Sequence, residues 1–218
     1  MIEPALSILV DGDSVLEAAV VYSDGRIYCY PCVNGGIEYL GDLSDFVFRL
    51  IKSGLLNLRR DYLILYLGKY NMVIIPLNEY NFLVLSTNPK YVTRRLVRGF
   101  LKSLNRLFNL AKGVPPVTRE DEVELLQRKP HREERIVLDL AEEIPLEEVR
   151  RLRTDLRVVK EVINFHRRVF SKMRYRKVEI SIGENTLHVI PLGEAHLALT
   201  ELQDCYSGNS TVVEAGPT

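Results

Sequence analysis

The chain has three cysteines in 218 residues. An odd number in a chain this long does not make a disulfide scaffold. Cys29-Tyr30-Pro31-Cys32 could chelate half a zinc site or run thiol exchange, but no second CxxC or His pair stands at a useful spacing, and the pair ends a hairpin strand instead of opening a helix. No GxxxxGK[ST], GxGxxG or GxSxG segment occurs, so phosphate-cradling loops and a nucleophile elbow are missing. Acids are plentiful, yet none stands with a nucleophile or a ligand set. No apolar run approaches the ~18–20 residues of a membrane span. The start, Met1-Ile2-Glu3-Pro4, lacks the basic and then apolar profile of a signal peptide, and a cytoplasmic location is expected. The net charge is zero, from 29 basic and 29 acidic residues, which excludes a global attraction to nucleic acid or anionic lipid. The expectation is a non-enzymatic protein without cofactor, metal or membrane contact.

What is present is an ordinary globular composition, 46% hydrophobic and 27% charged, and a repeat. Tyr62 to Leu85 reads YLILYLGKYNMVIIPLNEYNFLVL, and Lys177 to Thr200 reads KVEISIGENTLHVIPLGEAHLALT. At a shift of 115, Gly68 meets Gly183, Ile75-Pro76-Leu77 meets Ile190-Pro191-Leu192, and Glu79 meets Glu194. The identities sit at the turns and β-forming residues fill the runs between. Asn78 meets Gly193, the two residue types that best tolerate positive φ in a tight turn.

The rest of the chain can be read around this hairpin. Ala5 to Val10 has a weak helical pattern, Ala18 to Tyr22 is a strand, and Asp24-Gly25 is a hairpin turn. A strand from Ile27 to Cys32 returns, stopped by Pro31, and Asn34-Gly35-Gly36 is loop. Asp42 and Ser44 can cap a helix over about 43–56, with Phe46, Val47, Leu50, Ile51 and Leu55 at helical spacing. Three strands follow. The first, from Tyr62, is apolar on both faces and so expected to be central. A helix over about 91–110 has Leu96, Phe100, Leu104 and Phe108 as its buried stripe, with Val97, Leu101 and Leu107 beside it. Arg94, Arg98, Lys102 and Arg106 form a basic stripe that reads as a solvated face. The order is helix-strand-strand-helix-strand-strand-strand-helix.

LEAAVVYSDGRIYCYP, the middle helix, and GKYNMVIIPLNEYNFLVLSTNPKYVTRRLVRGFLKSL resemble a roadblock/LC7 domain over about residues 5–110. The resemblance implies an α+β fold, a five-stranded antiparallel sheet with helices on its faces, and dimerisation by helix and strand-edge contacts. It also implies scaffolding or regulation of small GTPases. Phe46 and Leu50 of the middle helix would then face a partner copy.

The second half is expected to be a partial copy over 146–204, after a unit over 1–112 and a charged connector over 113–145; a flexible tail spans 205–218. In the connector, Thr118 to Asp121 has capping-box spacing and Ile136-Val137-Leu138 could be a short strand. From Pro145 a long helix is expected, with Val149, Leu152, Leu156, Val159, Ile163, His166, Phe170 and Met173 at steps of 3 and 4. Three strands follow it. The seam Val149, Leu152, Leu156, Val159 and Ile163 would be the docking surface of this copy, either within one chain or between chains. Charge is segregated: Arg119 to Glu148 holds 11 acids and 5 bases, and Arg150 to Lys177 holds 11 bases and 2 acids. Macrodipole complementarity on a solvated helix, or pairing of the two blocks, explains this. The alternative is a nucleic-acid or ribonucleoprotein accessory protein using 150–177, with Arg167, Arg168 and Lys172 in contact. His188 and His196 lie on the arms of the second hairpin and could meet across it. Cys29 and Cys32 read as strand-end cysteines whose odd spacing points the thiols to opposite faces.

Overall fold

The computed structural model describes residues 3–32, 40–91, 93–111, 130–142 and 144–204. The Asn34-Gly35-Gly36 loop, the capping box at Thr118 to Asp121 and the tail over 205–218 lie outside these residues. The elements are α1 (Glu3–Ser7), β1 (Val15–Tyr22), β2 (Ile27–Tyr30), α2 (Leu40–Lys52), β3 (Tyr62–Tyr66), β4 (Asn71–Asn78), β5 (Asn81–Thr87) and α3 (Thr93–Ala111). The second half adds β6 (Pro130–Asp139), α4 (Leu146–Val149), α5 (Leu156–Met173), β7 (Lys177–Ile182), β8 (Asn185–Pro191) and β9 (His196–Asp204). The first-half order is the one read from the sequence. Among the described residues no helix is long and apolar enough to cross a membrane.

The strands form one antiparallel sheet of nine, in the order β2-β1-β5-β4-β3-β7-β8-β9-β6. The expectation of a five-stranded sheet plus three separate strands is therefore corrected in two ways. The two sets merge edge to edge, and the second set has a fourth strand. That strand, β6, lies in the segment expected to be a connector, and it extends the short strand expected at Ile136-Val137-Leu138 to Pro130–Asp139. It pairs β9 as β1 pairs β5: Ala18 faces Leu85, and Arg135 faces Thr200. The other registers repeat under the shift of 115. Leu63 faces Ile74 and Val178 faces Val189; Ile74 faces Val84 and Val189 faces Leu199. The duplication seen in the turns thus extends to the hydrogen-bond ladders.

Strand alternation sends side chains to two cores. One core lies between the sheet and α2, α4 and α5, and holds Leu63, Leu65, Ile74, Val178, Ile180, Leu187 and Leu199. The opposite face packs Val20, Ile64, Val73 and Ile75 beneath α1 and α3. β3 is the fifth strand of the nine and is covered on both faces, as its composition implied. On α3, Val97 and Leu101 are buried, whereas Leu96 and Phe100 are half-buried. Over this part of the helix the stripe is thus rotated from the one expected; the side chains of Leu104 and Phe108 lie outside the described residues.

Local chemistry accounts for the other departures. α2 begins at Leu40, so Asp42 sits in its first turn and Ser44 just beyond it, where its hydroxyl donates to the Leu40 carbonyl; neither caps the helix. The expected long helix is broken: α4 ends at Val149 and α5 restarts where the Asp155 side chain accepts the Arg157 N–H at 2.8 Å. Between them the buried Glu201 of β9 accepts from the Arg153 N–H and the Thr154 hydroxyl, each at 2.6 Å, and draws the loop onto the sheet. The seam spacing survives the break because Leu152 stays buried in the loop. At the β4–β5 turn, Asn78 acts through its side chain and not through positive φ. Its Oδ1 accepts from the Tyr80 N–H at 2.8 Å and the Asn81 N–H at 3.0 Å. Gly193, its counterpart, has φ of 136°.

Phe46 of α2 stacks on Phe165 of α5 with ring centroids 4.6 Å apart, both rings buried. Phe46→Ala is expected to lower unfolding free energy by ~3–5 kcal/mol. A double-mutant cycle with Phe165→Ala in urea should return a coupling of ~0.5–1.5 kcal/mol. A coupling of zero would show that the two halves do not share this contact.

Candidate functional site

The two halves meet at β3 and β7, and the register there is palindromic. Tyr62 faces Ser181, Ile64 faces Glu179, and Tyr66 faces Lys177. Under the repeat Ile64 and Glu179 are equivalent positions (64 + 115 = 179), so equivalent residues face each other at the centre. This is the signature of a two-fold relation inside one chain. The helices above obey it too. Ion pairs run in reverse order along α2 and α5: Lys172 to Asp42 at 3.1 Å, Arg168 to Asp45 at 3.6 Å, and Arg49 to Glu161 at 2.7 Å. The helices are therefore antiparallel. These pairs are partly exposed, worth ~0.2–1 kcal/mol each, so they align the helices more than they stabilise them. The Nη2 of Arg49 and the Nε and Nη2 of Arg168 are buried without a hydrogen-bond partner among the described residues.

The residues expected to bind a partner fall at this junction or beside it. Phe46, Leu50, Val149, Leu152, Val159 and Ile163 are buried in the shared core, and Leu156 is partly buried against it. They are covered by the chain itself. A heptad stripe reports an apolar face but not what lies on it, and here α2 and the sheet lie on it. Arg167 donates to the Leu140 carbonyl at 2.6 Å, while Arg168 and Lys172 pair with α2. Arg153 and Lys177 reach Gln203 and Glu179 of the sheet, Arg157 pairs with Asp155, and the acidic block supplies Glu147 to Arg150 at 2.8 Å.

On the opposite face a charged cluster lies at the same junction. Glu179 is fully buried. It forms an ion pair with Arg94 of α3, accepts from the Tyr66 hydroxyl at 3.1 Å, and lies 3.4 Å from Lys177 Nζ. Lys177 Nζ also lies 4.1 Å above the Tyr66 ring. His188 Nε2 meets the Arg94 guanidinium and lies 3.4 Å from Glu179 Oε2. A guanidinium can only donate, so Nε2 accepts from Arg94 when it carries no hydrogen and donates to Glu179 when it does, in the Nε2–H tautomer or the cation. Burial pushes the Glu179 carboxyl up. The hydrogen bonds from His188 and Arg94 and the charges of Arg94 and Lys177 outweigh it, and bring the group down to about 2. Sequence reasoning missed this cluster by placing Arg94 on a solvated face. The signal was Glu179 itself, a charge at the position where the first copy has Ile64.

No family model, curated protein or solved structure matches the chain. The geometry therefore carries the functional reading. Among the described residues no group of three or more His, Cys, Asp or Glu side chains is placed to hold a metal ion. His188 and His196 do not meet: His188 faces Thr200, and His196 approaches Asp139 at 3.5 Å. Cys29 and Cys32 do meet, joined as a disulfide with Cα atoms 5.2 Å apart. The expectation of opposite-facing thiols fails because β2 ends at Tyr30 and the chain turns at Pro31. His166, on the α5 seam, is buried. Its Nε2 donates to the Glu194 carbonyl at 3.2 Å, which leaves Nδ1 to accept from the Tyr175 hydroxyl at 2.7 Å. Burial holds its pKa below the ordinary 6.5.

These two groups set separate acid windows. A His lowered by folding contributes stability that is full above its ordinary 6.5 and falls as pH drops below it. The Glu179 contribution is full above the ordinary 4.5 and falls as pH drops from there toward about 2. The urea midpoint should decline in both ranges. His166→Gln should flatten the first and Glu179→Gln the second. Glu179→Gln should also cost up to ~3 kcal/mol at pH 7. An unchanged slope in either variant would rule out the corresponding assignment.

Proposed function

We propose that the chain is a non-enzymatic binding and assembly module, two roadblock-like units paired within one polypeptide, whose α2–α5 face docks a protein partner of the small-GTPase class. The palindromic β3–β7 register carries this reading. Helix and strand-edge pairing is how roadblock-like domains dimerise, and here equivalent strands and the helices beside them pair inside the chain. The element order α1-β1-β2-α2-β3-β4-β5-α3 and the strand order β2-β1-β5-β4-β3 of the first half support it as well. Self-association is then met internally, and the outer helical face is left for a different partner. The unsatisfied guanidinium nitrogens of Arg49 and Arg168 support that location. Donors without acceptors cost the fold stability, and their retention makes sense where the seam has another use.

Light scattering should find a single chain in solution. Arg168→Met should leave the urea midpoint unchanged or raise it. The same substitution, or Lys172→Glu, should reduce capture of a small GTPase from the source cell. Recovery of only ribosomal or tRNA-associated material, with binding that weakens steeply between low and moderate salt, would instead establish the nucleic-acid reading.

A further inference from the structure

The junction has two ends related by the repeat, and they differ. At one end Asp61 crosses to the turn of the other half. It is buried, accepts the Gly183 N–H at 2.9 Å, and accepts from the Asn57 backbone and side chain at 2.7 and 2.8 Å. Its counterpart at the other end is Arg176 (61 + 115 = 176). The Arg176 N–H donates to the Tyr66 carbonyl at 2.7 Å, and its guanidinium lies across Gly68. Gly68 has φ of 96°, and a Cβ there would come within 3.2 Å of Arg176 Nε. Arg176 is exposed and makes no ion pair among the described residues. It borders a cleft of about 440 Å³ together with Tyr66, Gly68, Arg94, Lys177 and His188.

Three of these residues depart from the first copy in one direction. Arg176, Lys177 and His188 stand where the first copy has Asp61, Tyr62 and Val73. Arg94, Arg176 and Lys177 supply three positive charges against the one carboxylate of Glu179, which leaves two in excess. Glu179 and Tyr66 hold Arg94 and Lys177 in place, so the donors are set before a ligand arrives. An excess of two matches a phosphate monoester, with a charge of about −1.5 to −2 at neutral pH, better than it matches a single carboxylate. Guanidinium groups suit phosphate oxygens, and the volume falls in the ~300–1,000 Å³ range of small-molecule sites.

We propose that this cleft is a binding site for the phosphate group of a small molecule, with Arg176 as its main free donor and Lys177 and Arg94 behind it. The site is separate from the α2–α5 face and does not depend on the docking proposal.

Calorimetric and ³¹P titrations test it on the full chain, in phosphate-free low-salt buffer, with inorganic phosphate and glycerol 3-phosphate as probes. The expected result is saturable one-site binding of at least one probe. Arg176→Gln should weaken it about tenfold, roughly the loss of one charge-assisted contact, and Lys177→Gln should weaken it to a smaller extent. Circular dichroism and melting of Arg176→Gln should match the parent chain, since the side chain is exposed. Tighter binding of glycerol 3-phosphate assigns the site to a phosphorylated metabolite, and tighter binding of inorganic phosphate assigns it to the free ion; either supports the site. No saturable binding of either probe in the millimolar range, or binding that Arg176→Gln leaves unchanged, overturns the proposal.

Discussion

The ladder between β3 and β7 is the contact on which the rest of the molecule depends. Each strand would otherwise be an edge, with unpaired N–H and C=O groups along an apolar run. Pairing them removes both edges and joins two sheets into one. It also fixes where everything else can go. With Ile64 opposite Glu179, α2 and α5 must lie side by side above the ladder, and Phe46 must meet Phe165. Below the ladder, the start of α3 overhangs β7 and β8, so Arg94 reaches Glu179 and His188.

The two faces of this junction have been treated differently. The helical face is apolar at its centre and carries charge pairs along its rim, the usual division for a surface that must be both stable and in register. The opposite face has an ion cluster where the first copy offers Ile64 and Val73. A buried carboxylate is costly unless its partners are good, and Glu179 has four: Arg94, Lys177, Tyr66 and His188. The two-fold relation of the backbone is thus kept while the side chains around it diverge. Asp61 closes one end and Arg176 leaves the other end open and positive.

Much of this was legible in the residues. The turn identities revealed the duplication, and the ladders repeat with the same shift. The two apolar faces of Tyr62 to Tyr66 placed β3 at the centre. The first-half element order was readable because each segment carries its own periodicity and turn chemistry. Other features were not readable, each for a stated cause. The break between α4 and α5 leaves the 3–4 spacing intact, since Leu152 remains buried in the loop. Of β6 only Ile136-Val137-Leu138 was legible; the strand character of 130–135 is masked by its charges, which an edge strand can carry. The stripe from Arg94 looks solvated because helical spacing does not say that a buried Glu179 waits opposite its first turn.

The local elements, the repeat and its shift, and the two apolar faces of β3 follow from the residues alone. These rest on periodicity, propensity and turn geometry, which act over a few residues. Long-range packing is what pairs the two halves with each other, covers the Val149 to Met173 seam with α2 and the sheet, and sets Glu179 against Arg94. Those outcomes depend on which edge meets which across more than a hundred residues of chain. An apolar stripe or a charge in sequence states only that a partner is needed; packing chooses the partner.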